Sequence, residues 1–236
     1  MPRRKEPELT NPPVWRVVTG ALLLLLIGSG FGFYRLAQEP VVVAKDRGEL
    51  EEIEPGTAYY VRGSDAGGEN WTEKRSILAR SEAAAMDLTP GDLNRWSDRY
   101  LRAVSTAEGE GKVLGVLDLS FQASQPNFSV LENGQLQIAV PLEFPGLAPE
   151  RTYYYVARGR FYRDGNSDDI YFGVEQSQLN AAPLALTGPL QQSIFKGVLK
   201  PFVASPEGQE VAGFWPQFNG VEIDGPAEKL KFLLAR

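Results

Sequence analysis

At 236 residues, with 43% hydrophobic and 23% charged side chains, the chain has the composition of one folded domain plus an appendage. It holds no Cys and no His, which excludes Cys/His zinc centres, histidine-based catalytic triads, cysteine nucleophiles and c-type haem attachment. Residues 1–35 carry five basic and two acidic groups, a net of +3, so the whole-chain charge of −6 leaves −9 for residues 36–236; so acidic a body argues against nucleic acid as a partner.

Residues 1–16 form a short basic tail. From Val17 to Tyr34 the chain has no charge, and Leu22, Leu23, Leu24, Leu25, Leu26 and Ile27 form its centre. As helix this run is about 27 Å long, near the short end of what spans a hydrocarbon core of roughly 30 Å. Trp15 on one side and Phe33 and Tyr34 on the other stand where interfacial aromatics belong, and the basic residues before the run predict an inside N-terminus and an outside C-terminus. Residues 17–35 therefore read as a transmembrane signal anchor. A cleaved signal, cut near Ser29, Gly30 or Gly32, is the less favoured alternative, because the apolar run is long and "YRLAQEP" lacks a good small-x-small site.

Residues 36–69 read as a stalk and entry segment, with an acidic patch (Glu49, Glu51, Glu52, Glu54), Gly-rich turn material and a short strand over 58–61. Residues 70–236 form the exported domain. "NWTEKRSILARSEAAAM" favours helix, having no Gly or Pro between Trp71 and Met86. In "LTPGDLNRWSDRYLRAV", Thr89 is the N-cap, Pro90 the first helical residue and Asp92 the third; Leu93, Trp96, Tyr100, Leu101 and Val104 share an apolar face.

The period then changes from helical to two. "KVLGVLDLSFQ" is a candidate strand, and "FSVLENGQLQIAVPLEF" is a hairpin whose tight turn draws positive φ from Asn133 and Gly134. "TYYYVARGRFYRDGNSDDIYFGVEQSQL" is a longer hairpin, with Tyr153, Tyr155, Ala157 and Phe161 on one face of its first arm and Tyr154, Val156, Arg158, Arg160 and Tyr162 on the other. "TGPLQQSIFKGVLKPF" reads as the covering helix: Thr187 caps it, Pro189 begins it, Leu190, Ile194 and Val198 follow at i+4 beside Phe195 and Leu199, and Pro201 ends it. "GVEIDGPAEKLKFLLAR" closes the chain as a third hairpin with Leu230, Phe232 and Leu234 inward. The fold class is α+β, an antiparallel β-meander packed against helices and preceded by a single transmembrane helix.

The order of "LTPGDLN", "NFSVLENGQLQIAVPLEF", a long hairpin and "PLQQSIFKGVLKPF" resembles a group of bacterial membrane-anchored extracytoplasmic proteins with an LT-x-x-[DE]-LN helix before a curved antiparallel sheet, loosely similar to tubular lipid-binding domains. The resemblance covers residues 71–236 and implies a curved sheet and helix around an apolar groove, with no catalytic signature. Asn94, within the "LN" pair, is expected to tie the helix to neighbouring backbone rather than to meet a ligand.

Candidate groove residues are Tyr153, Tyr155, Phe161, Phe172, Leu190, Ile194, Phe195 and Val198; ordinary core is the competing reading of the same stripe. "DGNSDDIYFGVE" places Asp164, Asn166, Asp168 and Glu175 at positions 1, 3, 5 and 12 of a calcium loop, but Asp169 stands where the sharp turn needs Gly, so a polar hairpin turn is preferred. No catalytic residue, metal ligand or cofactor is assigned. The sequence thus predicts a single-pass protein of the inner membrane, its domain periplasmic or extracellular, acting as a non-enzymatic module for lipid or another apolar ligand. An envelope scaffold binding a protein partner through a strand edge or the Arg158 and Arg160 face is the alternative.

Overall fold

Helix α1 (Val14–Ala37) is exposed along most of its length: its central residues Leu22 to Ile27 are each 54–72% accessible and lie outside the core. The computed structural model describes residues 14–44, 57–80, 85–101, 104–105, 121–145, 148–165, 167, 169–184 and 188–234. Among these, α1 is the one helix long and apolar enough to cross a membrane, as a signal anchor or a signal sequence. Its last turn is docked. Arg35 Nε donates to the Ala181 carbonyl (3.0 Å), Asn180 Nδ2 donates to the Leu36 carbonyl (2.9 Å), and the Ala181 amide donates to Gln38 O (3.1 Å). Leu36 packs on the main core.

The next strands, β1 (Val41–Ala44) and β2 (Tyr59–Arg62), pair in parallel. The acidic patch between them lies outside the described residues. The described parts of the predicted stalk are thus folded onto the domain: Tyr60 stacks on Tyr154 at 5.2 Å, and the Val61 carbonyl accepts from Gln137 Nε2 (2.7 Å) and Ser129 Oγ (3.0 Å).

Helix α2 (Trp71–Arg80) stops short of the predicted boundary. The end of the Ala run instead enters strand β3 (Ala85–Leu88), where Met86 and Leu88 are buried and alternate with exposed neighbours. Helix propensity gives way there to a ladder with the C-terminal strand. Helix α3 (Pro90–Tyr100) begins as the sequence predicts, with a full capping box: Thr89 Oγ1 accepts from the Asp92 amide (3.2 Å), and Asp92 Oδ2 accepts from the Thr89 amide (2.8 Å). Lys74 Nζ of α2 meets the same carboxylate at 2.5 Å and so joins the two helices. Val104 is not on this helix; it belongs to the short strand β4 (Val104–Ser105), because α3 ends at Leu101 in extended backbone.

Most of the predicted 112–122 strand lies outside the described residues, and its end is β5 (Gln122–Ala123). Strands β6 (Asn127–Val130), β7 (Leu136–Phe144), β8 (Ala148–Arg163), β9 (Ile170–Leu179) and β10 (Ala182–Pro183) follow. The main antiparallel sheet has the order β10-β9-β8-β7-β5-β4, with β6 also on β7. In the β6–β7 turn only Gly134 has positive φ (72°). Asn133 does not, because the loop is three residues wide, closed by Leu131 and Gln135, and needs a single left-handed position.

Asn94 of α3 fixes the helix to this sheet. Its Nδ2 donates to the carbonyls of Ser64 (3.0 Å) and Phe128 (2.9 Å), and its Oδ1 accepts from the Phe128 amide (2.7 Å) and Asn127 Nδ2 (3.2 Å). Only glycine fits the adjoining position 63, where a Cβ would lie 1.8 Å from the Phe128 oxygen.

Helix α4 (Gly188–Val203) covers β9 with Ile194, Phe195, Val198 and Phe202. The predicted cap Thr187 lies outside the described residues. Pro201 does not end this helix; it sits in the last turn, where one missing N–H is tolerated, and the Ala204 amide still reaches the Lys200 carbonyl (3.0 Å). Helix α5 (Pro206–Phe214), capped by Ser205, buries none of its residues. Strands β11 (Phe218–Asp224) and β12 (Lys229–Leu234) form the C-terminal hairpin, with Leu230, Phe232 and Leu234 buried as predicted. The hairpin leaves the meander: β12 pairs with β3 in a separate three-stranded sheet. The architecture is the predicted mixed α+β class, and it closes a space between two sheets rather than under one.

Candidate functional site: an apolar cavity between two sheets

The space bounded by both sheets and by α2, α3, α4 and α5 is a cavity of about 420 Å³ with almost no polar surface. Each layer contributes by its own periodicity. Phe161 and Phe172 project from the core face of β8 and β9 and meet edge to face at 5.4 Å; Phe195 of α4 meets Phe172 at 5.2 Å. Leu230 and Phe232, two apart on β12, supply the opposite wall, where Phe218 packs on Phe232 at 4.9 Å. Trp71 of α2 and Trp96 of α3 face each other at 5.9 Å. Val211 and Phe214, three apart on α5, lie over the cavity with Trp215 behind them.

Among the described residues its charged lining groups are Arg75 and Glu210, which form a two-pronged ion pair across the rim between α2 and α5: Nε donates to Oε1 at 2.7 Å, and an Nη donates to Oε2. The Arg75 guanidinium also lies 5.1 Å over the Tyr100 ring. Its bond to Glu210 holds the guanidinium above its ordinary pKa.

The tryptophans differ in what their indole N–H groups meet. Trp215 Nε1 donates to the Ile170 carbonyl at 2.8 Å. Trp71 Nε1 is buried and has no hydrogen-bond partner among the described residues.

Three candidate groove residues, Phe161, Phe172 and Phe195, line this cavity. Tyr153, Tyr155, Ile194 and Val198 are buried in filled core elsewhere along the same faces, and Leu190 is 47% exposed on the first turn of α4. The walls from α2, β12 and α5 are not among the groove residues that the sequence pattern predicts. For α5 a signal existed: "SPEG" at 205–208 is an N-cap followed by Pro at the first helical position and an acidic residue in the first turn.

Two other sequence candidates are occupied by internal contacts. Arg158 lies beneath β2: an Nη donates to the Tyr59 carbonyl (2.8 Å), Nε donates to Gln137 Oε1 (3.1 Å), and the guanidinium covers the Tyr59 ring. The outer side of β9 is also engaged, because Gln192 of α4 donates to the Phe172 carbonyl (2.8 Å) and accepts from the Val174 amide (3.2 Å).

Of the calcium-loop candidates, Asn166 and Asp168 lie outside the described residues, and the Asp164 amide closes the hairpin on the Asp169 carbonyl (2.8 Å). Glu175 points elsewhere. It occupies the irregularity where β8 and β9 shift register and accepts from Tyr162 Oη (2.6 Å), Gln135 Nε2 (2.5 Å) and Arg160 (3.1 Å). Among the described residues no group of three or more acidic side chains is disposed to hold a metal.

The Tyr162 hydroxyl first, then Gln135 and Arg160, hold the Glu175 carboxyl below its ordinary value of 4.5. A depressed folded pKa means stability that is fully present above 4.5 and lost as the pH falls through the folded value. The stability difference between wild type and Glu175→Gln, measured by urea unfolding, is therefore expected to narrow as the pH is lowered from about 6 to about 3.

No protein-family model, curated protein or solved structure matches this chain. The cavity and the exposed apolar helix are the features of the molecule that bear on function.

Proposed function

We propose that this is a membrane-anchored, extracytoplasmic, non-enzymatic module that binds lipid or another apolar ligand between its helices and sheets. The cavity carries the proposal: about 420 Å³ falls in the range of small-ligand sites, and a void that size with an almost wholly apolar wall loses packing contacts unless something fills it. Its two charges neutralise each other at the rim, an arrangement suited to retaining a ligand rather than attacking one. The anchor supports the rest of the reading. Arg3, Arg4, Lys5 and Arg16 precede the uncharged run that begins at Val17, which favours an uncleaved, single-pass orientation with the N-terminus in the cytoplasm and the domain on the far side of the inner membrane.

The test is native mass spectrometry of the full-length protein extracted directly into nanodiscs, with solvent extraction of what it retains. The expected result is one apolar ligand per chain that persists after bulk lipid is stripped. A domain that never carries one, even after incubation with total membrane lipid, would overturn the proposal and favour a scaffold.

A further inference from the structure

The cavity has one wall that is held more lightly than the others, and, taking the binding reading above as premise, that wall is where a ligand passes. The strands around the cavity are laddered into sheets. Helix α3 is fixed to β6 by Asn94, α2 is joined to α3 by Lys74 and Asp92, and α4 buries Ile194, Phe195, Val198 and Phe202. Helix α5 buries none of its residues, although Val211 and Phe214 form part of the lining. Few buried contacts mean a low free energy of local opening, and lids are drawn from such elements.

Two anchors and a latch hold α5. At its start the Ser205 hydroxyl accepts from the Gly208 amide, and Gly208 lies so close to the end of α4 that a Cβ there would sit 2.1 Å from the Phe202 oxygen. Just past its end, the Trp215 indole donates to the Ile170 carbonyl. Between these anchors, among the described residues, the hydrogen-bonded tie from α5 to α2 is the Arg75–Glu210 pair, and both side chains are about a third exposed. An ion pair so open to water is a weak tie.

Held at both ends, α5 can roll about the line joining its anchors while both stay in place. Glu210, Val211 and Phe214 share one face of the helix, so the roll carries the latch residue and both lining residues off the cavity together. Arg75 stays with α2, its guanidinium over the Tyr100 ring. We infer that α5 is a lid latched by the Arg75–Glu210 pair, and that an apolar ligand enters and leaves past α2 when the pair parts and α5 rolls back.

The chain has no cysteine, so a single introduced thiol reports the opening of the lid without any ligand. Leu136→Cys puts one in the cavity wall on β7, and Val198→Cys puts one on α4, buried away from the cavity lining. Reaction of each thiol with a charged methanethiosulfonate reagent is timed in the full-length protein in nanodiscs, in three backgrounds: the native pair, Arg75→Glu, and the exchanged pair Arg75→Glu/Glu210→Arg. The Leu136→Cys thiol is expected to react about fivefold faster in Arg75→Glu and to return towards the native rate in the exchanged pair, as loss and recovery of one partly exposed ion pair would give. The Val198→Cys thiol is expected to react at one rate in all three, which separates lid opening from a general loosening of the fold.

Uptake and release of N-phenyl-1-naphthylamine, an apolar fluorescent probe, are then followed in the same three backgrounds without an introduced thiol, with the signal of empty nanodiscs subtracted. Both rates are expected to rise in Arg75→Glu and to fall back in the exchanged pair. If the Leu136→Cys thiol reacts equally in all three backgrounds, or the two thiols quicken together, the lid is overturned while probe binding still supports the binding reading. If the thiol follows the latch but uptake and release do not rise together, the gating role falls and the binding reading stands. If the probe never binds, the binding reading falls and the gate falls with it.

Discussion

Asn94→Ala is expected to destabilise the domain by about 3 kcal/mol, because it leaves part-buried backbone groups without partners on two sides of a junction. The side chain is 4% exposed and joins α3 to β6 and to the 63–64 segment through four hydrogen bonds. Alanine removes all four, while the Phe128 amide and carbonyl stay in place. Asn94→Asp is expected to fail as well, since it would set a carboxylate oxygen against the Ser64 and Phe128 carbonyls where two N–H groups now donate. In a domain of this size the alanine variant should melt about 6–12 °C lower. Urea unfolding and calorimetry measure both quantities; a loss below about 1 kcal/mol would mean that water replaces the amide at no great cost.

Val211→Trp should empty the cavity of ligand while sparing the fold. The residue lines the cavity from α5, a helix none of whose own residues is buried, so the added ring goes into the void and not into packed core. Competition for already filled space costs about 1–3 kcal/mol, which corresponds to an affinity lower by roughly five- to 150-fold. Thermal unfolding of the ligand-free protein should change little. Retained ligand per chain, read by mass spectrometry, is the quantity to compare. Phe172→Ala would be a poorer probe, because it enlarges the site and also removes a core ring, at about 3–5 kcal/mol.

The parts of this fold written locally were legible. "TPGD" predicts the start of α3 because cap, Pro and acidic residue lie within four positions, and the alternation of Tyr153, Tyr155 and Ala157 matches the buried face of β8. What depends on distant pairing was not. The Ala-rich run before Met86 has helical propensity, and nothing within it announces that β12, some 140 residues later, pairs with its end. The same limit explains the partial view of the cavity. Strand parity puts Tyr153, Tyr155 and Phe161 on one face, but it does not say how far along that face the helix packs tightly and where the second sheet holds it open. Trp71 and Phe232 become neighbours of Phe172 only through that closure.

The docked last turn of α1 gives the molecule a fixed standoff. Asn180, bonded to Leu36, and Phe172, in the cavity wall, lie eight residues apart on one strand and its turn, so about 26 Å of rigid sheet separates the root of the anchor from the cavity. A domain on a loose leash samples every height and attitude above a bilayer, whereas three hydrogen bonds tie the end of this helix to the β9–β10 turn. If α1 sits in a membrane and the cavity binds an apolar ligand, as proposed, that ligand has this distance to cover between the bilayer and the cavity.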